Sequence, residues 1–156
     1  MQADVEIQRA THTAGTPGDE QFQAWIEAVP AATGVKYSLG IRIVDDEEAR
    51  RFNHQYRGRD YATNVLSFPA ELPEGLPEDI RKTLLGDLLI CAPVVVREAQ
   101  EQNRPLADHW AHLTIHGVLH LLGYDHEQAG DAEVMESLEI RILAGLDISD
   151  PYLDIA

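Results

Sequence analysis

Five of the seven histidines fall between positions 109 and 126: His109, His112, His116, His120 and His126. His116 and His120 stand four apart in a helical pattern, so their rings share one face, about 6 Å apart along the axis, where two imidazoles can converge on one ion. Gly123 follows. A glycine there can take the left-handed conformation that ends a helix, and the reversal returns His126 towards the same point. His-x3-His-x5-His thus supplies three neutral imidazoles from one short segment and leaves a fourth position for water or substrate. Open tetrahedral sites of this kind belong to catalysis more than to scaffolding, and Zn²⁺ best suits all-imidazole ligation, with other divalent transition metals also compatible. His112 shares the face but lies about 12 Å along the axis from His120, too far for both to bind one ion at about 2 Å. It is expected in the core or supporting the ligands, and His109 at the surface.

An open zinc site acidifies bound water and polarises carbonyl or phosphoryl oxygens, which makes hydrolysis the expected chemistry. A metallopeptidase of the His-Glu-x-x-His kind carries its general base directly after the first histidine. Here that position is Gly117, so the peptidase alternative lacks its base. Asp125 and Glu127, beside the third histidine, read equally as proton acceptors or as turn-forming carboxylates. Phosphodiester hydrolysis asks instead for a fixed cation to stabilise charge on the phosphoryl oxygens. Arg57 is the candidate, at the end of a predicted helix leading into a loop, with Arg59 beside it.

The elements that must position these groups are legible in the periodicity. Val5–Gln8 and Tyr37–Val44 alternate as strands, and Asn64–Phe68 and Leu84–Cys91 are short apolar runs suited to strands. A helix is predicted from Asp19 to about Val29, and a second after Asp45, with Glu48 as its capping-box partner. Three more follow at Pro93 to about Gln102, Leu106–Leu122 and Asp131–Leu146, while residues 70–79 form a Pro- and Glu-rich loop. Strands come early and helices late. The expected fold class is therefore α+β: a single domain over residues 1–156 with a small mixed sheet of about four strands, about five helices, and a tail of about ten residues.

Composition sets the outer limits. With 44% apolar and 25% charged residues the 156-residue chain is expected to fold as one globular domain. No apolar run approaches the roughly 20 residues that span a bilayer, and the opening residues lack the features of a secretory signal, so no membrane partner and a cytoplasmic location are expected. Cys91, the single cysteine, has no partner for an internal disulfide. Twelve Lys and Arg against 27 Asp and Glu give a formal charge of -15, which repels nucleic acid unless cations are grouped. Arg50, Arg51, Arg57 and Arg59 are so grouped.

The run His116-Gly-Val-Leu-His120-Leu-Leu-Gly-Tyr-Asp-His126 resembles the signature of the YbeY family of bacterial metal-dependent endoribonucleases. Asn53-x-x-Tyr56-Arg57-Gly58-x-Asp60, Thr63 to Pro69 and Gly86-Asp87 match in the same order, and the likeness spans roughly residues 40 to 145. Ala62 stands where many members have proline, which bears on loop stiffness alone. The resemblance implies a zinc-type site at His116, His120 and His126, with His116 also catalytic. It implies cleavage of single-stranded RNA, in maturing the 3′ end of the small-subunit ribosomal RNA and in ribosome quality control. Arg57 matches the family's functional arginine, expected to contact RNA phosphate, with Arg59 assisting. Ribosomal proteins or assembly factors are the expected partners, and a non-catalytic assembly factor with a structural metal is the alternative.

Overall fold

The computed structural model describes residues 1–125 and 128–153. Four strands form one sheet, β1 (Gln2–Ala10), β2 (Lys36–Val44), β3 (Val65–Pro69) and β4 (Leu84–Cys91), in the order β1-β2-β4-β3. The first three neighbours run parallel and β3 closes the edge antiparallel to β4. The helices are α1 (Asp19–Glu27), α2 (Asp46–Arg57), the short α3 (Glu78–Arg81), α4 (Ala92–Glu101), α5 (Leu106–Leu121) and α6 (Ala129–Gly145). The α+β mixed sheet expected from the pattern is present, and α3 is a single turn set into the Pro- and Glu-rich loop.

Each face of the sheet has its own apolar cluster. Ile41, Ile43, Leu88 and Ile90 pack under α1, α5 and α6, with Phe22, Trp110 and Ile115 among them. Val44, Leu66, Leu89 and Cys91 meet Ala49 of α2 and Val94 of α4 on the other face. Residues 88–91 of β4 are therefore buried without alternation, as a central parallel strand covered on both sides requires.

The predicted capping box at Asp45 does not form. Asp45 is the N-cap residue of α2 by backbone geometry, but its carboxylate accepts from Thr11 Oγ1 and the His12 amide. Glu48 turns instead to Arg42 on β2, which donates from Nη2 at 2.9 Å. Both acids find their partners outside the helix, Asp45 in the loop after β1 and Glu48 on β2.

A bulge sets the register on which α5 rests. Ser38 pairs with Leu84 and Leu39 with Gly86, so Leu85 is the extra residue. That insertion shifts the parity of β4 and lets Leu85, Leu88 and Ile90 face one core. Gly86 carries φ +127°, and a Cβ there would sit 2.1 Å from Phe68 O and 2.7 Å from Ala70 N, both backbone atoms of the neighbouring strand and its continuation. Gly86→Ala is expected to cost at least about 2 kcal/mol of unfolding free energy. Urea denaturation checks this, and an unchanged midpoint would refute it.

Candidate metal centre

α5 is buried on almost every side. From Ala111 to Leu121 all residues are buried except His112, His116 and His120, which form one half-exposed stripe at four-residue spacing. Gly117 lies on the covered side because the helix touches the sheet there. A Cβ at 117 would stand 2.7 Å from Leu88 Cδ2, and the Gly117 carbonyl accepts from Ser67 Oγ of β3 at 3.1 Å. No glutamate fits where a peptidase would keep its base.

His116 and His120 are brought together, with their Nε2 atoms 3.1 Å apart. Their other ring nitrogens are committed. His116 Nδ1 donates to Glu139 Oε1 at 2.5 Å, and His120 Nδ1 donates to the Tyr124 carbonyl at 3.0 Å. Gly123, at φ +103°, makes the turn that brings this carbonyl back over the helix end. A carboxylate and a carbonyl can only accept, so each ring carries a proton on Nδ1 and turns its Nε2 towards the other. A cation between or beside the two Nε2 atoms suits such a pair, and the separation is close to the edge of about 3.3 Å expected for two nitrogens around one tetrahedral Zn²⁺. The donor set fits an imidazole-binding metal.

His126, the expected third ligand, lies outside the described residues, as does Glu127. His112 stands beside His116, with ring centroids 6.2 Å apart, and its Nε2 donates to Glu139 Oε2 at 3.1 Å. His112, His116 and Glu139 offer ligand atoms within 4.8 Å of one another, so this cluster could also hold an ion. His109 departs from expectation. It is 3% exposed, wedged against α4, where its Nε2 meets Glu98 Oε1 at 2.9 Å. α4 covers the side of α5 that a lone helix would leave wet.

Glu139 has no counterpart in the histidine motif. It belongs to the α6 stripe Met135, Glu139, Ile142 and Leu143, all buried, and a carboxylate at a core position of that stripe is the one sign of it in the sequence. Burial by itself would raise its pKa. The bonds from His112 and His116, and another from the Tyr152 hydroxyl, outweigh that and hold it down to about 2. Burial and the same carboxylate push the Tyr152 hydroxyl up, so it remains a donor. Burial lowers His112, which stays neutral with its unpartnered Nδ1 enclosed.

Arg57 is the last residue of α2, exposed, and followed by Gly58 at φ +68°. Among the described residues its side chain makes no ion pair or hydrogen bond, and no direct contact joins it to the histidines. The connection runs through packing. Tyr56 of α2 meets Phe68 of β3 at 5.1 Å, and neighbouring Ser67 holds Gly117. Arg59 donates to the Tyr61 hydroxyl at 3.2 Å, while Arg50 pairs with Asp60.

The family model described as Endoribonuclease YbeY matches residues 5–147. A protein named Endoribonuclease YbeY from Alkalilimnicola ehrlichii is 60% identical over 152 residues, covering 96% of this chain and 90% of the relative. One of the same name from Xanthomonas axonopodis pv. citri is 56% identical, covering 97% and 94%. The solution structure of a Thermotoga maritima protein shares the fold, with TM-score 0.55 and 24% identity over 94% of this chain and 99% of that one.

The depressed Glu139 carboxyl has a measurable consequence in chelator-treated protein. Its pKa is about 2 folded against 4.5 for the free group, so its stabilisation is complete above pH 4.5 and is lost as pH falls towards 2. Glu139→Gln is expected to be less stable than wild type by on the order of 2 kcal/mol near pH 5, with the gap closing by about pH 2. Denaturation at stepped pH measures it; a gap constant across that range would contradict the assignment.

Proposed function

Because the chain belongs to the YbeY endoribonuclease family, we propose that it cleaves single-stranded RNA at one divalent ion, Zn²⁺ in the first instance, held by His116, His120 and His126. The observation that carries the site is the pair of Nε2 atoms facing each other at 3.1 Å with both Nδ1 protons given to acceptor-only oxygens. The alternative ion position among His112, His116 and Glu139 is less favoured. There the carboxylate already accepts from His116, His112 and Tyr152, and a ligand role would strip it of those donors.

Bound at the histidine pair, the ion supplies Lewis acidity to a phosphoryl oxygen and lowers the pKa of water. The chain's own contribution is orientation and charge. His116 and His120 keep their rings oriented through Glu139 and Tyr124, with their stripe lying between otherwise buried residues from Ala111 to Leu121. Arg57 offers a guanidinium that no carboxylate of the described residues neutralises, suited to a phosphate oxygen as negative charge develops. Arg59 extends that positive edge along the RNA backbone.

Ribosomal RNA as substrate, its 3′-end maturation in the small subunit, ribosomal or assembly proteins as partners, and a cytoplasmic location follow from family membership and belong to the same proposal. The phosphodiester chemistry has its own support in the site. At -15 the chain has few cations to spend, so RNA is gripped through a small footprint near Arg57, and a partner on the ribosome would add the remaining affinity.

His116→Ala and His120→Ala are each expected to lose bound zinc and to lower RNA cleavage at least about 100-fold with the circular dichroism spectrum unchanged. Arg57→Gln should keep the metal and lower kcat about 100-fold. Purified, metal-free His116→Ala that still cut RNA at the wild-type rate would sink the proposal. RNA affinity measured against salt should show a shallow dependence; a slope corresponding to eight or more phosphates would contradict the small footprint.

A further inference from the structure

Behind His116 the polar groups form a closed set whose last member comes from beyond α6. Glu139 is fully buried, with Oε1 taken by His116 Nδ1–H. Oε2 is taken twice, by His112 Nε2–H at 3.1 Å and by the Tyr152 hydroxyl. Tyr152 follows Glu139 by thirteen residues, and its ring stands edge-on against His112, centroids 5.4 Å apart and planes at 83°. The segment that carries it is itself tied down. Ile148 N–H donates to Leu143 O at 2.9 Å, and Tyr152 N–H to Asp150 Oδ1 at 2.8 Å.

Resting on the metal reading above, we propose that Tyr152 is a positioning residue of the metal centre: its hydroxyl clamps Glu139, and through Glu139 sets the ring orientation and tautomer of His116. A buried carboxylate on a flexible side chain can rotate about its last torsion and exchange its two oxygens. Two donors on Oε2, one from α5 and one from the C-terminal segment, remove that freedom and keep Oε1 aimed at His116 Nδ1. With the hydroxyl gone, His112 alone holds Oε2, and the carboxylate can swing off the line to His116. Metal ligands whose outer ring nitrogen loses its acceptor typically lose 10–100-fold in affinity. Tyr152 acts one bond further out, so its effect is smaller.

The test uses the full chain, stripped of metal and titrated with Zn²⁺ against a chromophoric chelator. Tyr152→Phe keeps the ring against His112 and removes only the oxygen. It is expected to weaken Zn²⁺ binding about 3- to 10-fold, Glu139→Gln about 10- to 100-fold, and His116→Ala and His120→Ala beyond the range of the titration. A second readout separates positioning from loss of fold: in the Zn²⁺-loaded protein the nitrogen-15 spectrum should show the His116 Nδ1 proton moved in Tyr152→Phe, with thermal unfolding of the metal-free chain unchanged within a few degrees. Wild-type affinity in Tyr152→Phe overturns the inference, and so does weaker binding with that proton unmoved. Either leaves the metal reading standing so long as His116→Ala and His120→Ala fail to bind. Undiminished Zn²⁺ binding in His120→Ala overturns the metal reading and the inference together.

Discussion

Carboxylate and carbonyl oxygens accept hydrogen bonds and never donate them. At the centre of this molecule that asymmetry acts twice. Glu139 takes the Nδ1 proton of His116 and the Tyr124 carbonyl takes that of His120, so both inner nitrogens are turned towards one another, 3.1 Å apart. A cation beside the two nitrogens makes such a meeting favourable. Other features of the fold can be understood as arrangements that keep the two acceptors where they are.

The arrangements come from separate parts of the chain. Tyr124 is delivered by the left-handed turn at Gly123, within the motif itself. Glu139 is delivered by α6 packing on α5, and it remains ionised in the core because three donors surround it. α5 can sit deep against the sheet because position 117 has no side chain to collide with Leu88. The same glycine that closes the helix on the strand removes the carboxylate a peptidase would use. Packing and chemistry thus make one demand of that position.

Charge shapes how such a site meets a polyanion. Arg9, Arg42, Arg50 and Arg97 are each held in ion pairs with acids of the chain. The chain has more than twice as many acids as bases. Arg57 closes α2, where a left-handed glycine turns the chain away, and among the described residues it is in no ion pair. A small positive edge on an acidic body gives weak general affinity for nucleic acid.

Much of the fold and part of the site were legible in residue order. Period-two and period-four patterns gave the strands and long helices within a few residues, since those patterns record which face each element buries. His116, His120 and the turn at Gly123 were legible because four-residue spacing and a glycine's conformational freedom are local properties. The capping box at Asp45 and the surface position of His109 failed for the opposite reason: Thr11 and Glu98, distant in sequence, offered better partners. Glu139 showed in the sequence only as a carboxylate on an apolar stripe, and its bond to His116, like that of Tyr152 to Glu139, came with the packing of α6 and the segment after it against α5. Local spacing put the rings of His116 and His120 on one face of α5. Only tertiary packing decided that Glu139 holds the other face of His116, because a hydrogen bond between helices depends on where two chain segments dock.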